Sequence, residues 1–78
     1  MAKHKDMQNM IEVLSISIVR EETEEQFYRR SAAASNSQAV KDLFLEIADE
    51  VRIHRQNLER RREILAGAFK DLQKAKKE

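Results

Sequence analysis

Ala32-Ala33-Ala34-Ser35-Asn36-Ser37-Gln38 is the stretch on which the fold turns, because here one amphipathic pattern ends and another begins. Ser35, Asn36 and Ser37 are all side chains that cap helix starts, and Ser35 with Gln38 three residues later fits a capping box. Upstream, Met7, Ile11, Leu14, Ile18, Glu21, Glu25 and Tyr28 recur at steps of three and four, the period of one helix face. Downstream, Val40, Phe44, Ile47, Val51, His54 and Leu58 do the same. The spacing predicts helix 1 over about residues 6–33 and helix 2 over about residues 37–66. Residues 13–19, Val-Leu-Ser-Ile-Ser-Ile-Val, partly alternate as a strand would. The apolar positions 7, 11, 14 and 18 nevertheless carry the helical period through them with no breaker. Burial overrides the weak helix propensity of their β-branched residues.

A tight turn at residue 36 makes the two helices antiparallel, so residues equidistant from it lie level. Tyr28 then faces Phe44, Glu25 faces Ile47, Glu21 faces Val51, Ile18 faces His54, and Leu14 faces Leu58. At about 1.5 Å of rise per residue, His54 lies about one turn from Glu21. The ionisable groups that interrupt the two stripes therefore converge. An unpaired charge in such a seam costs several kcal/mol, so the cluster points to a metal or proton site. Gly67 falls opposite the start of helix 1 and costs about 1 kcal/mol relative to alanine. A break or bend is expected there, followed by a helical tail over about residues 68–77 that packs on a partner subunit or folds across the end of the bundle. Leu65, Phe69 and Leu72 continue the stripe through it.

The 78 residues are enough for a single domain, 1–78, and too few for a large core. Charged residues make up 37%, aromatics 5%, with one glycine and no proline, a composition of long helices and so an all-α fold. The 41% hydrophobic share is too high for a disordered chain. A net charge of +1 gives no reason to expect nucleic acid or an anionic membrane. The absence of cysteine excludes disulfides, a thiolate nucleophile and zinc–thiolate clusters. The longest apolar stretch, 13–19, is interrupted by two serines and is far short of the roughly 20 residues that span a bilayer. Residues 1–6 lead into no signal-peptide core, so a cytoplasmic protein without a membrane partner is expected. His4, in this polar segment, is uninformative.

Arg60-Arg61-Arg62 and Lys74-x-Lys76-Lys77 are diluted by Glu59, Glu63, Asp71 and Glu78 and have no aromatic stacking platform. They read as solvated helix faces, not as a nucleic-acid surface. Arg61 is placed on the seam opposite Ile11, where it snorkels outward or meets an acid of a partner.

A two-helix hairpin buries only the seam between its helices. Ile16, Val19, Phe27, Leu43 and Ile64 would remain in water, a patch larger than the few hundred Å² that monomers expose. Pairing two hairpins about a two-fold axis covers it and makes a four-helix bundle, so a homodimer is expected.

Arg20-Glu21-Glu22-Thr23-Glu24-Glu25-Gln26-Phe27-Tyr28-Arg29 and Leu43-Phe44-Leu45-Glu46-Ile47-Ala48-Asp49-Glu50-Val51-Arg52-Ile53-His54 resemble the rubrerythrin branch of the ferritin-like superfamily. The resemblance covers about residues 10–60. Helix 1 of that family carries a ligand Glu seven residues before the Tyr of a Phe-Tyr pair, the spacing of Glu21 and Tyr28. Helix 2 carries a Leu-Phe opening, a Leu-Ala pair and then Glu-x-x-His, and Leu43-Phe44, Ile47-Ala48 and His54 match it in register. The resemblance implies a ferritin-like four-helix bundle and a carboxylate-bridged site for iron, with manganese or zinc as alternatives. Peroxide reduction or iron handling would be its activities. Two oxygen-seeking ions about 3.5–4 Å apart need bridging carboxylates, and a Glu three residues before a His puts both on one helix face.

Carried over to this chain, the resemblance makes Glu21 and His54 metal ligands. Glu25, one turn from Glu21, is an alternative carboxylate. Family members have two hairpins in one chain, so a single hairpin completes a site only as a dimer that supplies Glu21 and His54 twice. Val51 stands where the family has its bridging Glu. Valine binds no metal, and a symmetric dimer loses both bridges together. Glu50 is turned about 100° away, toward the flank. The expected function is thus metal binding at a reduced carboxylate–histidine site, with an oxidoreductase or iron-handling role. The alternative is a non-catalytic helical dimerisation or scaffold protein that holds no cofactor. Plainer roles exist for each residue. His54 could pair with Glu21 or its own symmetry mate, and Glu25 with Arg29 at i,i+4. Tyr28 could be a core aromatic whose hydroxyl bonds a seam carboxylate.

Overall fold

In the computed structural model, which describes residues 2–77 and the side chains of residues 5–75, the chain is two helices joined by one short turn. Helix α1 spans Ala2–Ala34 and helix α2 spans Gln38–Lys77, packed side by side as an antiparallel hairpin. The stretch 13–19 is helical throughout. Its hydroxyls, like those further on, are absorbed by the helix itself: Ser15 donates to the Ile11 carbonyl at 2.9 Å and Thr23 to that of Val19 at 3.1 Å.

The turn closes as its serines suggest, but with a different cap. The Ser35 amide donates back to the Ala32 carbonyl at 3.2 Å, tightening the end of α1. The Ser35 hydroxyl then accepts the Ser37 amide at 3.2 Å. Ser37 is the residue that caps α2, its hydroxyl accepting the Val40 amide at 3.4 Å and its carbonyl the Lys41 amide at 2.9 Å. The Ser35–Gln38 capping box does not form, because Ser35 is spent within the turn and the Gln38 side chain donates to Asp42 at 2.8 Å.

The break expected at Gly67 is also absent, and α2 runs unbroken to Lys77 with no separate tail. Gly67 has an ordinary helical backbone with no positive φ. Its cost of about 1 kcal/mol is small beside the backbone bonds of a helix that continues on both sides. Leu65 and Phe69, to either side of it, are both half-buried.

The product is a rod of 62 × 14 × 13 Å with a radius of gyration of 17.7 Å. A compact chain of this length would measure about 11–12 Å. A rod of two helices has one line of contact and little interior. Ile18, Ala32 and Ala48 are its buried apolar residues, joined by one buried acid, Glu25. Met10, Val13, Ile16, Val19, Phe27, Leu43, Ile53 and Ile64 are each more than half exposed. The two flanks of the hairpin differ. One is cross-linked by the Arg29–Asp49 ion pair and by Arg62 on Ser15, with Arg52 approaching Asp49 from within α2. By the helical period, the other carries Met10, Val13, Leu43 and Ile64 around Glu21 and His54. Among the described residues no helix is long and apolar enough to cross a membrane.

Candidate metal centre and the ion-pair seam

Glu21 and His54 meet across the hairpin, with His54 Nδ1 3.1 Å from Glu21 Oε1. Level-matching about residue 36 sets Glu21 opposite Val51, yet its carboxylate reaches three residues further along α2. The reason is the tilt of every Cα–Cβ bond toward the N-terminus of its helix. In an antiparallel pair the Glu21 side chain leans away from the turn and the His54 ring leans toward it, so the tips meet although the backbones are offset. The Glu21 side chain is 21% exposed and that of His54 59%. The pair therefore sits at the edge of the seam, opening onto the apolar flank.

In the tautomer that donates Nδ1–H to Glu21, the imidazole keeps the lone pair of Nε2 free. A carboxylate that fixes the tautomer of a histidine in this way is the usual support of a metal-ligating imidazole. The second Glu21 oxygen stays available as a hard donor.

Glu25 lies one turn deeper and has a different fate. It is only 5% exposed, the one buried acid among the described residues. Arg29, one turn on, donates Nε–H to its Oε2 at 2.8 Å. Arg55 reaches across from α2 to donate to Oε1. Hydrogen bonding from Arg29 holds the Glu25 carboxyl below its ordinary value; burial opposes this and the Arg55 guanidinium adds to it. Arg29 is correspondingly raised, first by its bond to Glu25 and next by its bond to Asp49 at 3.2 Å. Both Glu25 oxygens are thus engaged by guanidinium groups, the Arg29 pairing read from the i,i+4 spacing together with one that the spacing does not reveal.

Val51 is half-buried in the seam and offers no donor to an ion. Tyr28 stacks at 6.1 Å from Phe44 and edge-on at 5.3 Å to Phe27. Contrary to expectation, its hydroxyl bonds no carboxylate of a described residue, and its contacts are with the two phenylalanine rings. Arg61 is exposed. Arg62, not Arg61, takes the seam position, half-buried and 3.5 Å from the Ser15 hydroxyl.

Sequence reasoning missed Arg55, which closes the buried pair. Its signal was positional, since it follows Ala48 by seven residues and Val51 by four, the seam spacing. Within one chain these residues do not make a complete metal shell. Glu21 and His54 are two donors, Glu25 is committed to arginines, and no three His, Asp or Glu among the described residues are grouped to hold an ion.

No curated protein and no solved structure matches the chain. A family model described as Rubrerythrin matches residues 12–78, from the first apolar stripe through the length of α2. With its helical hairpin and a match over most of its length, this chain belongs to the rubrerythrin family.

Proposed function

We propose that the chain is a ferritin-like metal-binding protein with a reduced carboxylate–histidine site, assembled from two copies and used in iron handling or as an oxidoreductase. The observation that carries this reading is the Glu21–His54 contact at 3.1 Å on the open flank. It pre-sets one nitrogen and one oxygen donor toward the surface that a second hairpin would cover. A homodimer would bring two of each, a hard mixed set suited to one divalent ion such as iron, with manganese or zinc as competitors. Two paired hairpins give the four-helix bundle in which such sites lie between facing helices. Glu25 could join the shell only by releasing Arg29, which keeps Asp49, or Arg55, which would be left without its acceptor.

The second reading, a non-catalytic dimerisation module, is favoured by the Val51 gap and by the buried Glu25–Arg55 pair. A buried ion pair fixes register and pairing without any metal.

Loading with iron(II) under anaerobic conditions, manganese(II) or zinc(II) separates the two. The metal reading expects one bound ion per two chains and a rise in melting temperature with metal concentration. Glu21→Gln and His54→Ala should each abolish that rise. Absence of stoichiometric metal together with an unmoved melting curve would leave the scaffold reading.

A further inference from the structure

The outward side of α1 carries two opposite charges set between apolar residues. Val13, Ile16, Arg20, Glu24 and Phe27 recur on it at steps of three and four, away from the seam. Val13, Ile16 and Phe27 are 60%, 56% and 55% exposed. Arg20 and Glu24 make no hydrogen bond or ion pair with any described residue. Arg29, Arg52 and Arg55, by contrast, find acids within the chain. Two opposite charges stand two residues to either side of position 22, with apolar residues beyond them on both sides.

We infer that a second copy docks on this face with its α1 antiparallel to the first, the two-fold axis passing level with residue 22. Arg20 of each copy then meets Glu24 of the other, and Ile16 of each lies one residue from the level of the partner's Phe27. Val13 lies against Ser31. A two-fold contact must be self-complementary, since whatever residue i meets, its mate meets in return. A stripe with both charges of one sign could not pair with itself this way. Nor could this one pair in parallel, where Arg20 would face Arg20.

The same register acts on the candidate site. Glu21 lies one residue from level 22, so the two Glu21 side chains come within about 3 Å of each other along the helix direction. They stand about 100° around the helix from Arg20, on the side toward α2 and the interior of the pair. His54, in contact with Glu21, follows it toward the axis. Charge complementarity and the placement of the site thus select one arrangement from independent residues. The inference rests on the two-copy site proposed above, and names the surface and register that would build it.

Sedimentation equilibrium on the wild-type chain, Arg20→Glu, Glu24→Arg and the double exchange tests the register. None of these side chains bonds to its own chain, so folding is not the variable, and helical circular dichroism checks it. Each single reversal turns two attractions into two repulsions and should weaken dimerisation at least tenfold. The double exchange should restore it. A monomer at all concentrations, a dimer indifferent to either single reversal, or a double exchange that fails to restore it overturns the register. Glu21→Gln tells the two ideas apart: it should remove bound manganese and leave the dimer intact. A dimer that obeys the charge exchange and binds no metal supports the register and sinks the metal reading alone.

Discussion

Arg55 of α2 closes on the buried carboxylate of Glu25 in α1, 30 residues away in sequence, and among the described residues this is the most buried ion pair between the helices. Glu25 is 7% exposed at its side chain and Arg55 17%, so the contact is formed largely out of water. Removing the acid leaves the Arg55 guanidinium without its acceptor, while Arg29 keeps Asp49. Glu25→Ala should cost about 2–3 kcal/mol, the range for a lost hydrogen bond to a charged group with its partner left unpaired. Urea denaturation would measure it, and Arg55→Ala should cost more than Arg52→Ala, whose nearest acid is 3.8 Å away on an exposed flank.

The same pair makes stability depend on acid. A carboxyl held below its ordinary value favours the fold in its ionised form. That contribution is complete above the ordinary glutamate range of about 4.3 and is lost as pH falls through the lowered value. Melting temperature should therefore decline on acidification below about pH 4.5, and Glu25→Gln should flatten the part of that decline that Glu25 supplies.

Gly67 offers a change in the stabilising direction. It lies inside α2 with helical backbone angles, and a Cβ built on it meets nothing within 4 Å. Gly67→Ala should raise stability by about 0.5–1 kcal/mol through the entropy of the unfolded chain. Thermal denaturation followed by circular dichroism would show it.

Val51→Glu would restore the carboxylate three residues before His54. Without metal, a half-buried acid beside the seam should cost about 1–3 kcal/mol. If two hairpins come together around Glu21 and His54, added iron(II) or manganese(II) should recover that loss and exceed the effect on the wild-type chain. Calorimetry with and without metal would decide, and a variant that metal does not rescue would count against placing the ion there.

The hairpin was legible because α1 and α2 each keep a helical period and residues 35–37 hold capping side chains. What the sequence hid is what depends on side-chain reach. Level-matching treats each residue as a point on the axis, so it found Tyr28 opposite Phe44 but set Glu25 against Ile47, not Arg55. It put Arg61 on the seam where the slow drift of the helical period selects Arg62. The Gly67 break failed for an energetic reason: a local penalty of about 1 kcal/mol does not end a helix that the residues on both sides support. Glu21 and His54 were legible as neighbours, because their lean along opposite helices shortens the offset between them.

The single short turn also gives the rod an order of assembly. Glu25–Arg55, Glu21–His54 and Ser15–Arg62 span 30, 33 and 47 residues along the chain, the last enclosing the other two. The entropy of closing a loop grows only with the logarithm of its length, so once residues 35–37 have turned, each later rung closes at small extra cost. The helices should zip outward from Ser37 and open in reverse. Amide exchange would then be slowest beside Glu25 and Arg55 and quicken toward the pole where Ala2 and Lys77 lie, recording in minutes and hours the sequence in which the two strips of chain come apart.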